Sequence, residues 1–285
     1  MFIQYGSRVV HGLLFGALLL GVTSAQGQSP EFVDVYPTKD ATLYEDSAGE
    51  IANGAGSHLF TGTTNNGARR RALLAFDVAA VLPPGATVTE VTLTMNLSRA
   101  SNGNGGGAAI SLLRAARDWG EGASDAGDQG GAGTTALAGD ATWLHTFFDQ
   151  QLWNTAGGDW LEGEGTSTAV SALGSYTWTG PNLTSQVQAW LDDPAQNFGW
   201  FVLGSENGNG TANRFDSGEH PTEANRPRLT IGFLTPLGGE GEGEGEGEGE
   251  GEGEGEGEGE GEGEGEGEGE GEGEGEGEGE GEGEG

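Results

Sequence analysis

The chain has 285 residues, of which 11 are basic and 46 acidic, and it contains no cysteine. The missing cysteines exclude a disulfide framework, a Cys-ligated zinc site and a thiol nucleophile, and the scarcity of cations argues against duplex nucleic acid as a partner. Of the acidic residues, 23 lie in the Glu-Gly repeat of residues 240–285. The formal charge of −35 therefore describes that repeat more than any binding surface.

The amino terminus has the pattern of an export signal. Arg8 precedes an almost wholly apolar run, Leu13–Val22, and the small residues Thr23-Ser24-Ala25 follow it. A bilayer span needs about 18 or more consecutive apolar residues, so this run is too short to cross comfortably. Residues 1–25 are predicted to be a cleaved signal peptide, and the mature chain to be secreted or held at the cell surface without a membrane span. The alternative is an uncleaved anchor.

Residues 26–237 are predicted to form one domain of short strands. In Val88–Ser98 apolar residues alternate with Thr, Asn and Ser, which indicates a strand with one buried face. Arg71–Val78 is richer in apolar residues and is expected to be more central. The other strands are expected at Ala109–Ala115, Gly174–Thr179, Phe198–Gly204 and Arg228–Phe233.

One helix is predicted, with Asn182 as its N-cap, Leu183 and Val187 in its apolar stripe, and Pro194 ending it. Because strands outnumber helices and no βαβ rhythm is present, the fold class is all-β, an antiparallel two-sheet sandwich. Residues 238–285 consist only of glycine and glutamate and have no apolar side chains, so they are predicted to be a disordered, charge-extended spacer. Weak binding of divalent cations by its carboxylates is the alternative.

The middle of the chain is rich in tryptophan and glycine, as in Trp119-Gly120-Glu121 and Gly158-Asp159-Trp160. Indole faces stack on sugar rings while nearby charged groups bond to hydroxyls, so this region is a candidate carbohydrate platform. The alternative is that the tryptophans fill the core. The candidate ligand-binding residues are Trp119, Trp153 and Trp160 for stacking, with Glu121, Arg114 and Arg117 as polar partners.

The sequence supports a catalytic site less well than a carbohydrate platform. Asp159 and Glu162 could form a glycosidase pair, but a glycine-rich loop does not by itself bury a carboxylate, and solvated loop acids are the simpler interpretation. The histidines show no HExxH spacing, and no Gly-x-Ser-x-Gly elbow is present.

The basic cluster Arg69-Arg70-Arg71 leaves two interpretations open. In a strand, Arg69 and Arg71 share a face and Arg70 points the other way. They could clamp carboxylates of an acidic polysaccharide, or they could pair with the domain's own acids. A structural Ca²⁺ site is a further possibility, from Asp34, Asp40, Glu45 and Asp46.

Nine short blocks of the sequence occur in an order that resembles the DNRLRE domain. This family is also described as disaggregatase-related and as carbohydrate-binding module family 96. The matching blocks are Arg71–Asp77, Pro84–Val88, Trp119–Glu121, Thr142–Trp143, Leu152–Asp159, Val187–Trp190, Asn197–Trp200, Phe215–Glu219 and Arg226–Leu229. The resemblance implies a secreted, non-catalytic β-sandwich of jelly-roll type that in some members binds polysaccharide. The chain departs from the family at Ser217-Gly218-Glu219, where Ser-Arg-Glu is usual.

The sequence thus predicts a secreted, non-catalytic module that binds extracellular or cell-surface polysaccharide, an acidic glycan included. Two alternatives are a purely structural surface or matrix spacer and a polysaccharide hydrolase or lyase.

Overall fold

The computed structural model describes residues 28–101, 108–127 and 129–236. The predicted signal peptide, the glycine loop after Ser101 and the Glu-Gly repeat lie outside the described residues. The chain divides into two units, Met1–Gly238 and Gly239–Gly285, and every described residue belongs to the first unit.

The described residues form mainly short strands, with one α-helix, α1 (Pro181–Asp192), and two 3₁₀ turns, Pro194–Gln196 and Glu223–Asn225. The strands are β1 (Glu31–Val35), β2 (Lys39–Tyr44), β3 (Ile51–Ala52), β4 (His58–Thr63), β5 (Arg69–Ala75), β6 (Thr87–Arg99), β7 (Ala108–Arg114), β8 (Thr134–Thr135), β9 (His145–Phe147), β10 (Gln151–Leu152), β11 (Thr166–Val170), β12 (Gly174–Thr179), β13 (Trp200–Leu203), β14 (Asn213–Asp216) and β15 (Arg228–Leu234).

Eleven of these strands form a continuous antiparallel ladder that folds into two packed layers. In the first layer β12, β6, β15 and β1 are neighbours, and β14 also pairs with β6. In the second layer the order is β2, β5, β13, β7 and β11. Strand β4 pairs with β14 of the first layer and with β5 of the second, so it joins the two. The predicted all-β, antiparallel sandwich is confirmed.

The main core lies between the layers and follows the predicted alternation. Val91, Leu93, Met95 and Leu97 of β6 are at most 1% exposed, while the intervening polar residues are half-buried. Burying one such side chain fully contributes about 1.5–3 kcal/mol relative to leaving it in water. The same alternation places Leu229, Ile231 and Phe233 of β15 in this core.

The predicted helix is present, but its predicted N-cap was wrong. Pro181 is the first helical residue and Gly180, at φ 136°, precedes it as the N-cap. Proline suits this position because its fixed φ is already helical and no N–H is lost from the ladder. Asn182 lies inside the first turn instead, where its side-chain amide donates to the carbonyl of Gly165 at 3.3 Å.

A second apolar cluster covers the outer face of the second layer. Leu73 of β5 and Phe201 of β13 point into it, opposite to their neighbours in the main core. The long excursion between β7 and β11 covers this face and contributes Trp119, Trp143 and Trp153. Both faces of β5 are therefore buried, which explains its high apolar content.

Candidate functional site

Two of the three predicted stacking residues are buried. Trp119 is 0% exposed and its indole N–H donates to the carbonyl of Phe198 at 2.8 Å. Trp153 is 5% exposed and its indole N–H donates to the carbonyl of Thr142 at 2.9 Å. Neither ring offers a face to solvent, so the stacking role expected of them does not fit this structure. They are needed as cover, because the outer face of the second layer is itself apolar.

Trp160 is the predicted stacking residue that is partly exposed. Its ring meets Phe201 edge-on at 5.4 Å between centroids, and the guanidinium of Arg71 lies 4.9 Å from the ring centroid. Its indole N–H donates to Glu162 at 3.0 Å. A single half-covered indole provides at most one stacking face.

The three predicted polar partners are engaged within the domain. Arg117 lies 3.4 Å from an oxygen of Asp159 and donates to the carbonyl of Leu152 at 3.1 Å. Arg114 lies 3.9 Å from Glu164. Glu121 belongs to a separate carboxylate cluster described below. The structure therefore gathers the tryptophans into one layer, but as packing rather than as an open platform.

Asp159 has the contacts of a turn-bracing residue. Its two carboxylate oxygens accept hydrogen bonds from the backbone N–H groups of Asn154 and Thr155, at 2.7 and 2.9 Å. Glu162 is exposed and bonds to the indole of Trp160. This geometry gives neither carboxylate the buried, opposed position that acid/base hydrolysis of a glycoside needs.

Two residues of the triplet Arg69-Arg70-Arg71 pair with the domain's own acids, and Arg70 does not. Arg69 pairs with Glu45 at 2.5 Å and Arg71 pairs with Glu206 at 2.7 Å, so these two neutralise the domain's own acids. Arg70 points to the opposite face, as the alternation predicts, and its guanidinium lies 4.6 Å from the ring centroid of Tyr44. It is 9% exposed, and its Nε is buried without a hydrogen-bond partner.

Arg70 lines a cleft of about 210 Å³, which we call the arginine cleft. Arg99 at the end of β6 and Arg214 of β14 complete its basic lining, and Phe60 and Asn65 provide an aromatic and an amide wall. The register explains this meeting, because Arg214 is the cross-strand partner of both Phe60 and Arg99.

Among the described residues, no aspartate or glutamate lines the arginine cleft, and none of its three arginines has a carboxylate within ion-pair distance. Asp216 acts on the charge of Arg214, and Glu45 on that of Arg70, from beyond that distance. Burial lowers the pKa of Arg70 and of Arg214, and the neighbouring Arg99 cation lowers that of Arg214 further. Three arginines line one concave space, and guanidinium groups so placed have the chemistry to bind an anion.

A carboxylate cluster lies elsewhere, where oxygens of Asp40, Glu121 and Glu219 are all within 4.8 Å of one another. One oxygen of Asp40 accepts from the backbone N–H of Gly218 at 2.7 Å, and the other is buried without a partner. Burial, and then the charge of Glu219, raises the pKa of Asp40 well above its usual range. Oxygen donors of this kind suit Ca²⁺.

The four residues expected to build a Ca²⁺ site do not come together. Asp34 pairs with Arg228 at 3.4 Å, Glu45 pairs with Arg69, and Asp46 accepts from the backbone N–H of Glu50. Only Asp40 of that set belongs to the carboxylate cluster. The four residues are close in sequence, but they lie on different elements. Asp34 is on β1, Asp40 is on β2, and Glu45 and Asp46 follow β2.

Sequence reasoning missed Arg99 and Arg214 because no local motif links them. They are 115 positions apart and meet only through the pairing of β6 with β14. The separate position of Arg70 could be predicted from the sequence. Strand alternation places it on the face opposite to Arg69 and Arg71, which pair with glutamates.

Comparisons with protein-family models and with curated proteins find no match to this chain. The resemblance to the DNRLRE domain therefore stays a prediction. No helix within the described ranges is long and apolar enough to cross a membrane.

Proposed function

We propose that this chain is a secreted, non-catalytic module that binds an acidic extracellular or cell-surface polysaccharide in the arginine cleft. The observation that carries the proposal is the convergence of Arg70, Arg99 and Arg214 on a space that, within the part of the chain the structure describes, no acidic residue lines. In a chain with only 11 lysines and arginines, three arginines at one concave site, none in an ion pair with a described residue, favour an anionic ligand.

The chemistry of an acidic sugar matches this lining. A guanidinium binds a carboxylate or sulfate through parallel hydrogen bonds, and such charge-assisted bonds are roughly twice as strong as neutral ones. Phe60 provides an apolar wall, and Asn65 and Thr64 provide groups of the kind that bond to hydroxyls. The export pattern at the amino terminus and the resemblance to the DNRLRE domain support the same kind of ligand and the same location.

The structural alternative, a surface spacer without a ligand, is favoured by one observation. Six of the seven tryptophans are buried, which is what a purely structural role for the aromatic middle requires. The arginine cleft is what distinguishes the two functions, since a spacer without a ligand does not need three arginines lining one concave site.

The test is binding of the full chain to soluble polysaccharides, measured by affinity electrophoresis and calorimetry. We expect retention by a polyuronate or a sulfated glycan, none by a neutral glucan, and weakening as salt rises, because ions screen exposed charges. Hydrogen bonds to charged groups contribute about 1.5–3 kcal/mol each, so Arg99→Gln and Arg214→Gln should each cost about tenfold in affinity or more.

Arg228→Gln is the matched control, because it removes the same charge from an exposed pair with Asp34 outside the cleft. It should leave binding unchanged. Absence of binding to any acidic polysaccharide, or equal loss in all three variants, would favour the spacer. If the chain released reducing ends from a polysaccharide and Asp159→Asn abolished this release, the hydrolase alternative would be favoured instead.

A further inference from the structure

Three ligand-type side chains meet on the face of β14 that points away from the main core. His58 of β4 and Asp216 of β14 are cross-strand partners, and His220 follows four residues after Asp216. The register therefore brings together two histidines that are 162 positions apart in the chain. We propose that His58, Asp216 and His220 bind a divalent transition-metal ion, Zn²⁺ being the best match.

The distances between the donor atoms fit a tetrahedral ion. Nδ1 of His58 lies 3.2 Å from Oδ1 of Asp216, and Nε2 of His220 lies 3.7 Å from the same oxygen. All three donor atoms lie within 4.8 Å of one another. For bonds of about 2.0–2.1 Å, as zinc makes with nitrogen and oxygen, the edge of the coordination tetrahedron is about 3.3 Å.

Two of the donors are buried and have no other partner. Nδ1 of His58 and Oδ1 of Asp216 are both inaccessible to water and form no hydrogen bond, although they face each other. The side chains are 10% and 1% exposed. Burying such groups without a hydrogen bond is unfavourable, and a bound cation would satisfy both atoms.

Neighbouring groups hold two of the ligands in place, as around metal sites in general. The second oxygen of Asp216 accepts from the side-chain amide of Asn96 at 2.7 Å, which fixes the carboxylate plane. Nδ1 of His220 lies 3.3 Å from the carbonyl oxygen of Thr222 and accepts from the backbone N–H of the same residue at 3.2 Å. These contacts hold the imidazole ring with Nε2 3.7 Å from Oδ1 of Asp216.

The donor set selects the class of metal. Two imidazoles and one carboxylate suit Zn²⁺ and its transition-metal neighbours, whereas Ca²⁺ prefers oxygen donors only, as in the carboxylate cluster. Three protein ligands leave a fourth position for water or for a group of a ligand. His220 is 15% exposed on its side chain, so the ion has a route from solvent.

The test is a Zn²⁺ titration of the chelator-stripped full chain, followed by calorimetry and by the imidazole NMR signals. We expect one strong site, with the signals of His58 and His220 shifting and that of His145 unchanged. His220→Gln and Asp216→Asn should each weaken this site by more than about 100-fold, since even outer-shell changes cost 10–100-fold. Asn96→Ala should fall within that outer-shell range.

His145→Gln is the matched control, because this histidine bonds to Thr142 and takes no part in the site. Any cation binding by the Glu-Gly carboxylates is the same in every variant, because all variants keep that repeat. Four-coordinate absorption of Co²⁺ that His220→Gln removes would support the proposal independently. Lack of a strong Zn²⁺ site in the parent chain would overturn it, as would a site unaffected by His220→Gln in protein whose circular dichroism matches the parent.

Discussion

Asp40 shows at the scale of one residue how burial and like charge act together. The residue is 1% exposed, and two other carboxylates are close to it. Since its pKa is raised, the folded state holds a proton that the unfolded chain would release. The stabilisation from this proton is complete below the ordinary pKa of an aspartate and is lost as pH rises through the raised value.

We therefore expect Asp40→Asn to stabilise the domain at neutral pH in the presence of chelator. Asparagine keeps an oxygen for the N–H of Gly218 but carries no charge. The variant should therefore be the more stable of the two at pH 7, because it removes the cost of a buried carboxylate charge close to two other carboxylates. Thermal unfolding from pH 4 to pH 8 should show the difference between variant and parent growing with pH. A difference that is constant or shrinks over this range would contradict the prediction, and Asp34→Asn, at an exposed pair, provides the control.

At the scale of elements, the pairing of β6 with β14 sets two cations opposite each other. Arg99 and Arg214 are direct cross-strand partners, and like charges at such positions destabilise a sheet. The side chains of an ordinary structural strand pair would not be expected to keep this arrangement. The arrangement is understandable if an anion lies between the two guanidinium groups.

Arg99→Gln should consequently separate stability from binding. Removing one of two opposed charges should raise the free energy of unfolding by about 0.2–1 kcal/mol in the absence of ligand. The same substitution should weaken binding of an acidic polysaccharide. Urea denaturation with and without the polysaccharide measures both effects, and Arg228→Gln should produce neither. An Arg99→Gln variant that is less stable without ligand would show that Arg99 has a structural partner.

The turn before Trp160 is a second element whose conformation depends on its residues. Gly158 has φ 106°, and a Cβ built there would lie 2.2 Å from the ring of Phe201. Gly163 has a comparable φ of 91° but nothing within 4 Å of its Cβ position. Gly163→Ala should thus cost only the backbone strain, about 1–2 kcal/mol, while Gly158→Ala should add overpacking of about 1–3 kcal/mol. Chemical denaturation compares the two, and equal losses would mean that the ring of Phe201 moves freely.

At the scale of the whole molecule, the pattern of the sequence predicts layers better than sites. Alternation of apolar and polar residues along β6 and β15 predicted their buried faces, because one face of each strand is more exposed to solvent than the other. The aromatic middle was ambiguous, because an indole that covers an apolar face and one that binds sugar have the same sequence signature. The two meeting points of distant side chains, at Arg99 with Arg214 and at His58 with Asp216, depend on strand register. Strand register is set by tertiary packing, so no local sequence motif predicts these two meeting points.

The distribution of tryptophans across the molecule gives the last prediction. Six indoles are buried in the two apolar clusters, and only Trp160 is partly exposed. Acrylamide should therefore quench a minor fraction of the fluorescence, and Trp160→Phe should remove most of the accessible fraction. Trp153→Phe is the control, since it should lower total emission without lowering the emission that acrylamide can quench. If acrylamide reached several indoles, the excursion between β7 and β11 would open in solution, and Trp119 and Trp153 would regain the stacking role that their burial denies them.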